Sequence, residues 1–179
     1  LLLRSLMSYA ELHCISNFSF LRGASRPEEV VTRAAELNYQ AIAITDECSL
    51  AGVVKAHAAC QLLKLKKQSI KLIIGSEFAM EEQGKLVALA HNTLSYQALS
   101  AFISLCRRRS KKGEYRFLIS DIHLHLQHCL LIYLPARVSQ AHQTSTRIDN
   151  DPVLNEQLHQ CSNLWIGYQR ALLEDDHFH

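Results

Sequence analysis

Several features are scarce in this sequence, and each scarcity excludes a class of protein. The 179 residues include only six glycines and three prolines and show no repeat, which excludes collagen-like, coiled-coil and low-complexity chains. No stretch of about 18 uncharged apolar residues occurs, so no membrane-spanning helix is predicted. Because 48% of the residues are hydrophobic and 20% are charged, the composition indicates one globular domain.

The six cysteines are scattered and form no Cys-x-x-Cys pair. This spacing is typical of reduced thiols in a cytoplasmic protein rather than of a disulfide framework. No signal peptide is predicted, because the apolar run at residues 1–6 is short and is interrupted by Arg4. Residues 1–8 are therefore interpreted as a leader or an N-terminal tail, with Met7 as an alternative start.

Hydrophobic patterning predicts an α/β fold. The apolar run at 41–45 is rich in β-branched residues and is typical of a strand buried on both faces of a parallel sheet. Strands are predicted at 9–15, 41–45, 71–75, 77–80, 85–90, 129–134 and 164–166. The first predicted helix begins at a capping box of Ser25 and Glu28 and ends at Asn38. Further helices are predicted from Ser49 to about Leu65, from Ser95 to Arg108 and at 155–159. Residues 138–151 are predicted to form a polar surface segment.

Polar side chains follow the ends of three predicted strands, where α/β folds bind their ligands. His13 lies near the end of the first strand, Asp46 and Glu47 follow the second, and Glu77 follows the third. One imidazole and three carboxylates are suitable ligands for a divalent metal. The alternative interpretation is that Asp46 fixes a turn and that the two glutamates are solvated.

A second group of possible metal ligands consists of His123, His125, His128 and Cys129. Imidazoles and thiolates bind zinc. The alternating His-Leu-His-Leu segment is equally typical of a half-exposed stretch with its leucines inward, and the paired spacing of a zinc finger is missing.

A basic cluster near the end of the third predicted helix is a candidate nucleic-acid contact. Its residues are Arg107, Arg108, Arg109, Lys111 and Lys112. Clustered cations neutralise phosphates, whereas the alternative is a solvated helix end at which positive charge suits the helix dipole.

Two long segments, 11–25 and 41–53, closely resemble the PHP domain at the amino terminus of bacterial C-family DNA polymerases. The segments 18–23 and 46–48 are most similar to the error-prone branch of that family. The resemblance extends from about Tyr9 to at least Ile166, so residues 9–179 are interpreted as an incomplete PHP domain. It implies a distorted barrel of seven strand–helix units, truncated here before its last strands.

The resemblance also implies which ligand positions are kept. Active PHP members hold up to three metals and hydrolyse phosphoesters; His13 and Glu77 match their ligands, whereas Glu47 replaces a histidine. Ile15, Arg22 and Lys85 stand where active members have further ligands, and positive charge there opposes metal binding. The expected result is a degenerate site in which Arg22 and Lys85 pair with Asp46, Glu47 or Glu77; a residual zinc- or manganese-dependent phosphoesterase is the alternative.

The resemblance implies a parent DNA-directed DNA polymerase that acts in damage-tolerant synthesis. Its magnesium-binding carboxylates would lie in a palm domain outside this chain, so no cofactor is expected here. DNA and the rest of the polymerase chain are the implied partners, with a sliding clamp and other damage-tolerance proteins as further ones, and no membrane. A non-enzymatic zinc or nucleic-acid module remains the third alternative.

Overall fold

A computed structural model describes residues 9–80, 84–136, 156 and 159–167. The predicted segments at 1–8 and 138–151 lie outside these residues, as does the stretch from 168 onward, and of the predicted helix at 155–159 only residues 156 and 159 are described. The elements are β1 (Ala10–Cys14), α1 (Pro27–Glu36), β2 (Ala41–Ile44), α2 (Val53–Leu65), β3 (Lys71–Ala79), β4 (Gly84–Ala90), α3 (Thr93–Arg108), α4 (Asp121–Leu126), β5 (Leu130–Pro135) and β6 (Leu164–Ile166).

The six strands form one sheet in the order β1-β2-β3-β4-β5-β6, which confirms the predicted α/β class. β1, β2 and β3 run parallel, β4 is antiparallel to both β3 and β5, and β6 is parallel to β5. β3 pairs with β2 as far as Ile74 and with β4 from Ile74 to Ala79. The two short strands predicted at 71–75 and 77–80 are therefore one continuous strand.

The helices cover one face of this sheet. Along β4, Leu86 and Ala88 pack in the same core as the α3 residues Leu99 and Phe102. The intervening Val87 belongs to a separate apolar cluster on the other face, because successive side chains of a strand point to opposite sides. Glu77 lies directly across the ladder from Val87, so its side chain shares the face opposite the helices.

Several details of the helices differ from the predictions. α3 begins at Thr93, two residues before the predicted start at Ser95, and Asn92 is its N-cap. α1 begins one residue later than the predicted capping box, and the Glu29 carboxylate accepts the N–H of Arg26 at 2.8 Å. α2 begins at Val53 rather than directly after Ser49. α4 was not predicted, because a helix of six residues is too short to show a helical period.

The predicted stop at Asn38 is found, with the residue in the left-handed region at φ +61°. None of the six cysteines, all of which lie in the described ranges, forms a disulfide. None of the helices in the described part of the chain has the length and apolar character that a membrane crossing requires.

Candidate functional site

Strand ends and one loop bring the predicted site residues to the same region of the sheet. β1 carries His13, β3 carries Glu77 and β4 carries Lys85. Glu47 follows β2 and forms an isolated parallel bridge with Glu77. Arg22 reaches the same place from the loop between β1 and α1.

The carboxylate of Glu77 is the centre of the site and is completely buried. Its Oε2 lies 2.6 Å from His13 Nε2 and 3.6 Å from Lys85 Nζ, and its Oε1 accepts a hydrogen bond from Arg22. Burial alone would raise the pKa of Glu77, but the hydrogen bonds from His13 and Arg22 and the charges of Lys85 and Arg22 outweigh it and lower this pKa to about 2. Glu77 is therefore not solvated, contrary to the alternative interpretation, and it is ionised at neutral pH.

Glu47 is tied to this centre by a shared arginine. Arg22 Nη1 donates to Glu47 Oε2 at 2.6 Å as well as to Glu77, so one guanidinium bridges the two carboxylates. These hydrogen bonds raise the pKa of Arg22 against the opposing effect of burial. The hydroxyl of Tyr115 donates to Glu47 Oε1 at 2.8 Å, and burial together with this bond raises the pKa of Tyr115.

Asp46 makes a different set of contacts although it adjoins Glu47. Its buried carboxylate accepts from the backbone N–H of Ser16 at 2.7 Å, from the Ser16 hydroxyl at 2.7 Å and from the Ser19 hydroxyl at 2.8 Å. The interpretation of Asp46 as a residue that fixes a turn therefore agrees with this geometry, since the three donors belong to the loop that carries Arg22.

Residues 11–134 match the family model described as the PHP domain. The chain belongs to the PHP domain family. It is 56% identical to the error-prone DNA polymerase of Methylococcus capsulatus over 128 aligned residues. This alignment covers 71% of this chain and 12% of the relative. The chain is 44% identical to the error-prone DNA polymerase of Vibrio vulnificus over 170 aligned residues, which cover 95% of this chain and 15% of the relative. The chain thus spans about 12–15% of the length of these curated relatives.

A solved structure supports the same fold. The protein from Bifidobacterium adolescentis, described as a candidate metal-dependent phosphoesterase, has a TM-score of 0.57 with this chain at 14% identity, and the match covers 86% of this chain and 75% of that one. At this identity the likeness concerns the fold alone. Together with the family match, it agrees with the expected part of a PHP-type barrel.

The side chains at the PHP site do not fit a divalent metal as they are placed. Both oxygens of Glu77 already face cationic or imidazole donors, so a metal there would meet the charges of Arg22 and Lys85. Ile15 carries no ligand atom. Within the described ranges, no group of three or more histidine, cysteine, aspartate or glutamate side chains has the arrangement that holds a metal ion.

The structure brings three of the four side chains of the second predicted ligand group to one cavity. His123, His128 and Cys129 line a cavity of about 150 Å³ beside Cys161. His125 points elsewhere and stacks on Phe102, with the ring centres 6.0 Å apart.

Two residues of the basic cluster, Arg107 and Arg109, make contacts within the domain. Arg107 donates from Nη2 to the carbonyl oxygens of Glu47 at 3.3 Å and Cys48 at 3.1 Å, and its guanidinium lies over the Tyr115 ring at 5.3 Å from the ring centre. Arg107 thus holds the loop that carries Glu47.

Arg109 is also engaged within the fold, because it pairs with Asp121 at the start of α4. Burial would raise the pKa of Asp121, but the hydrogen bond from Arg109 lowers it. The remaining three cations, Arg108, Lys111 and Lys112, are exposed.

Sequence reasoning missed Ser16, Ser19 and Tyr115. Each is separated from its carboxylate partner by 27 to 68 residues. A spacing rule acts only over a few residues, so the one available signal was that these residues lie in segments resembling the PHP family.

Proposed function

We propose that this chain is the PHP region of an error-prone DNA-directed DNA polymerase, in which the ancestral phosphoesterase site has lost its metals and stabilises the domain. The identities of 44–56% to error-prone polymerases support the first part. The observation that carries the second part is the buried Glu77 carboxylate, which is held by His13, Arg22 and Lys85.

The proposed loss of metal follows from charge. In an active PHP site, carboxylates neutralise bound cations; here Arg22 supplies a permanent positive charge to both Glu47 and Glu77. The ion pairs then replace the metal as the partner of the buried carboxylate, which would be strongly destabilising if it were left alone.

In the whole polymerase, damage-tolerant DNA synthesis would be carried out by a palm domain with magnesium, in the cytoplasm. The PHP region would support that catalytic part structurally. DNA and the remaining polymerase chain are then its partners, and a sliding clamp and other damage-tolerance proteins would contact the assembled enzyme.

The test is the metal content of the purified, desalted chain, measured by plasma mass spectrometry together with metal-dependent phosphoester hydrolysis. We expect less than about 0.1 metal ion per chain and no hydrolysis with added zinc or manganese. Intact structural metals bind very tightly, so a metal held by the chain would survive desalting and be detected. A chain with about one zinc or manganese ion would overturn the proposal. Glu77→Ala and His123→Ala would then distinguish a residual phosphoesterase pocket from a zinc module.

A gain-of-metal variant sharpens this test. Four substitutions restore the ligand types implied for active members: Ile15→His, Arg22→Asp, Glu47→His and Lys85→His. We expect this variant to bind zinc or manganese that the native chain does not bind. Circular dichroism before and after metal addition would report whether it is folded.

We also propose that the exposed residues Arg108, Lys111 and Lys112 contact DNA. Their exposure supports this role, whereas Arg107 and Arg109 are occupied within the fold. Replacing all three by alanine should weaken DNA binding and reduce the slope of log affinity against log salt by about 0.9 for each lost phosphate contact. The matched control replaces three other exposed lysines, Lys64, Lys67 and Lys71; an equal loss there would indicate non-specific attraction.

A further inference from the structure

α2 has a second apolar side that faces away from the core. Ala56, Ala59, Cys60 and Leu63 on one side are buried. The other side carries Val54, Ala58, Leu62 and Leu65, a spacing of i, i+4, i+8 and i+11 that places them along one stripe. The exposed fractions are 76% for Val54, 61% for Leu62 and 83% for Leu65. A helix with apolar residues on both sides is typical of one that is covered on both sides.

Part of this stripe lines a groove between α1 and α2. The groove has a volume of about 310 Å³, and Ala58 and Leu62 are among the residues that line it. Lys55 and Lys66 also line it, and they are eleven residues apart, which is about 16 Å along a helix axis. That length matches about three turns of a second helix.

The charges along the groove are of both signs. Glu28 of α1 lines it, and its Oε2 is buried with no hydrogen-bond partner among the residues that the structure describes. The α2 edge carries the positive charges of Lys55 and Lys66. An occupant that complements this groove needs a donor opposite Glu28 and carboxylates opposite the lysines.

We propose that the α1–α2 groove binds an amphipathic helix from the remaining polymerase polypeptide. The apolar side of that helix covers Ala58 and Leu62, a lysine or arginine donates to Glu28 Oε2, and acidic residues meet Lys55 and Lys66. This inference rests on the proposed function. It agrees with the length of the curated relatives, since this chain spans only 12–15% of them and the rest of such a polypeptide could supply the helix. A second copy of this chain fits less well, because a two-fold pairing along α2 brings lysine against lysine.

The experiment uses labelled, overlapping 20-residue peptides that cover the polymerase polypeptide carrying this chain. Their binding to the 179-residue chain is measured by fluorescence anisotropy. We expect a peptide with the stated pattern to bind. The Leu62→Gln substitution should lower the affinity for this peptide at least about tenfold. The matched control is Leu124→Gln on α4, a leucine that is 66% exposed outside the groove, which should leave the affinity unchanged.

A second pair of variants tests the charge contact. Glu28→Gln should lower the affinity of the chain for the native peptide. It should not lower the affinity for a variant peptide in which glutamine replaces the basic residue that faces Glu28. Equal losses for both peptides would overturn the assigned donor contact.

Three outcomes overturn the whole proposal: no polymerase peptide binds, binding survives Leu62→Gln in a chain that melts normally, or sedimentation shows a dimer that Leu62→Gln dissociates. The metal measurement on the peptide-free chain is independent of these outcomes. A metal-loaded chain that still binds the peptide contradicts the structural role of the PHP site and leaves the groove proposal standing.

Discussion

Two buried carboxylates, Glu77 and Asp46, lie at the same edge of the sheet but are satisfied in opposite ways. Glu77 is surrounded by His13, Arg22 and Lys85, which carry or can carry positive charge. Asp46 is held by one backbone N–H and two serine hydroxyls, which are neutral. The same chemical group thus serves as the counter-ion of a cation cluster in one case and as a brace for a loop in the other.

The difference predicts how each position tolerates an amide. A serine hydroxyl both donates and accepts, so the hydroxyls around Asp46 can turn to accommodate an amide group. Arginine and lysine only donate, so the –NH₂ of an amide in place of Glu77 would face donors and leave the cations without their counter-ion. Replacement of a carboxylate by its amide therefore separates the two regions.

The largest expected effect is that of Glu77→Gln. We expect it to lower the free energy of unfolding by about 3 kcal/mol, because removal of one partner from a buried ion pair leaves uncompensated charge. Urea unfolding followed by circular dichroism measures the change. Glu114→Gln is the control on an exposed glutamate and should alter stability by less than about 0.5 kcal/mol. An equally small effect of Glu77→Gln would show that the cluster adds nothing to stability.

The pH dependence of unfolding should show the same contribution. The folded-state pKa of Glu77, about 2, lies below the ordinary value of 4.5, so the unfolded chain takes up the proton first as the pH falls. The stabilisation is complete above about pH 4.5, is lost towards pH 2, and amounts to about 3 kcal/mol.

Comparison of the native chain with Glu77→Gln isolates this contribution. The pKa of Asp121 is also lowered, so that carboxyl titrates in the same direction in both proteins. We expect the stability difference between the two to shrink as the pH falls from 5 to 2. A constant difference would contradict the assignment of this titration to Glu77.

Asp46→Asn should have a smaller effect of about 1 kcal/mol, since one side-chain oxygen remains and the hydroxyls of Ser16 and Ser19 can reorient. The same urea titration measures it. Asp46→Ala, which leaves the three donors without an acceptor, should cost more. If Asp46→Asn proves as damaging as Glu77→Gln, the distinction between neutral and charged donors is wrong.

Lys85→Met should have the smallest effect, below about 1 kcal/mol. The Lys85 ammonium is 3.6 Å from Glu77 Oε2, and its side chain is 36% exposed to solvent, which screens the pair. Thermal unfolding at low and high salt measures the change. A loss as large as that of Glu77→Gln would assign the main counter-charge to Lys85 rather than to Arg22.

The sequence predicted the sheet better than the helix boundaries. The apolar run that forms β2 is visible because burial on both faces leaves little room for polar residues. The start of α1 was placed one residue too early, since Glu28 and Glu29 are both acidic residues in the first turn and only the backbone decides which one caps.

For the site, the sequence identified the charged residues but not all of their partners. Arg22 and Lys85 pair with Glu77, and Arg22 also with Glu47. The carboxylate of Asp46 binds Ser16 and Ser19 instead of a cation. Asp46 and Glu47 are neighbours, and the donors that each carboxylate meets depend on the direction of its side chain at the end of β2. Residue spacing in the sequence does not reveal this direction.

The Glu77 cluster also joins parts of the chain that are far apart in sequence. His13 is 64 residues from Glu77 and Arg22 is 55 residues away, whereas β3 and β4 form a local antiparallel ladder. Long loops close late because their entropy must be lost before the contact is gained. We therefore expect the ion cluster to form after the folding transition state, so that it acts as a latch: it slows the opening of the domain without speeding its formation.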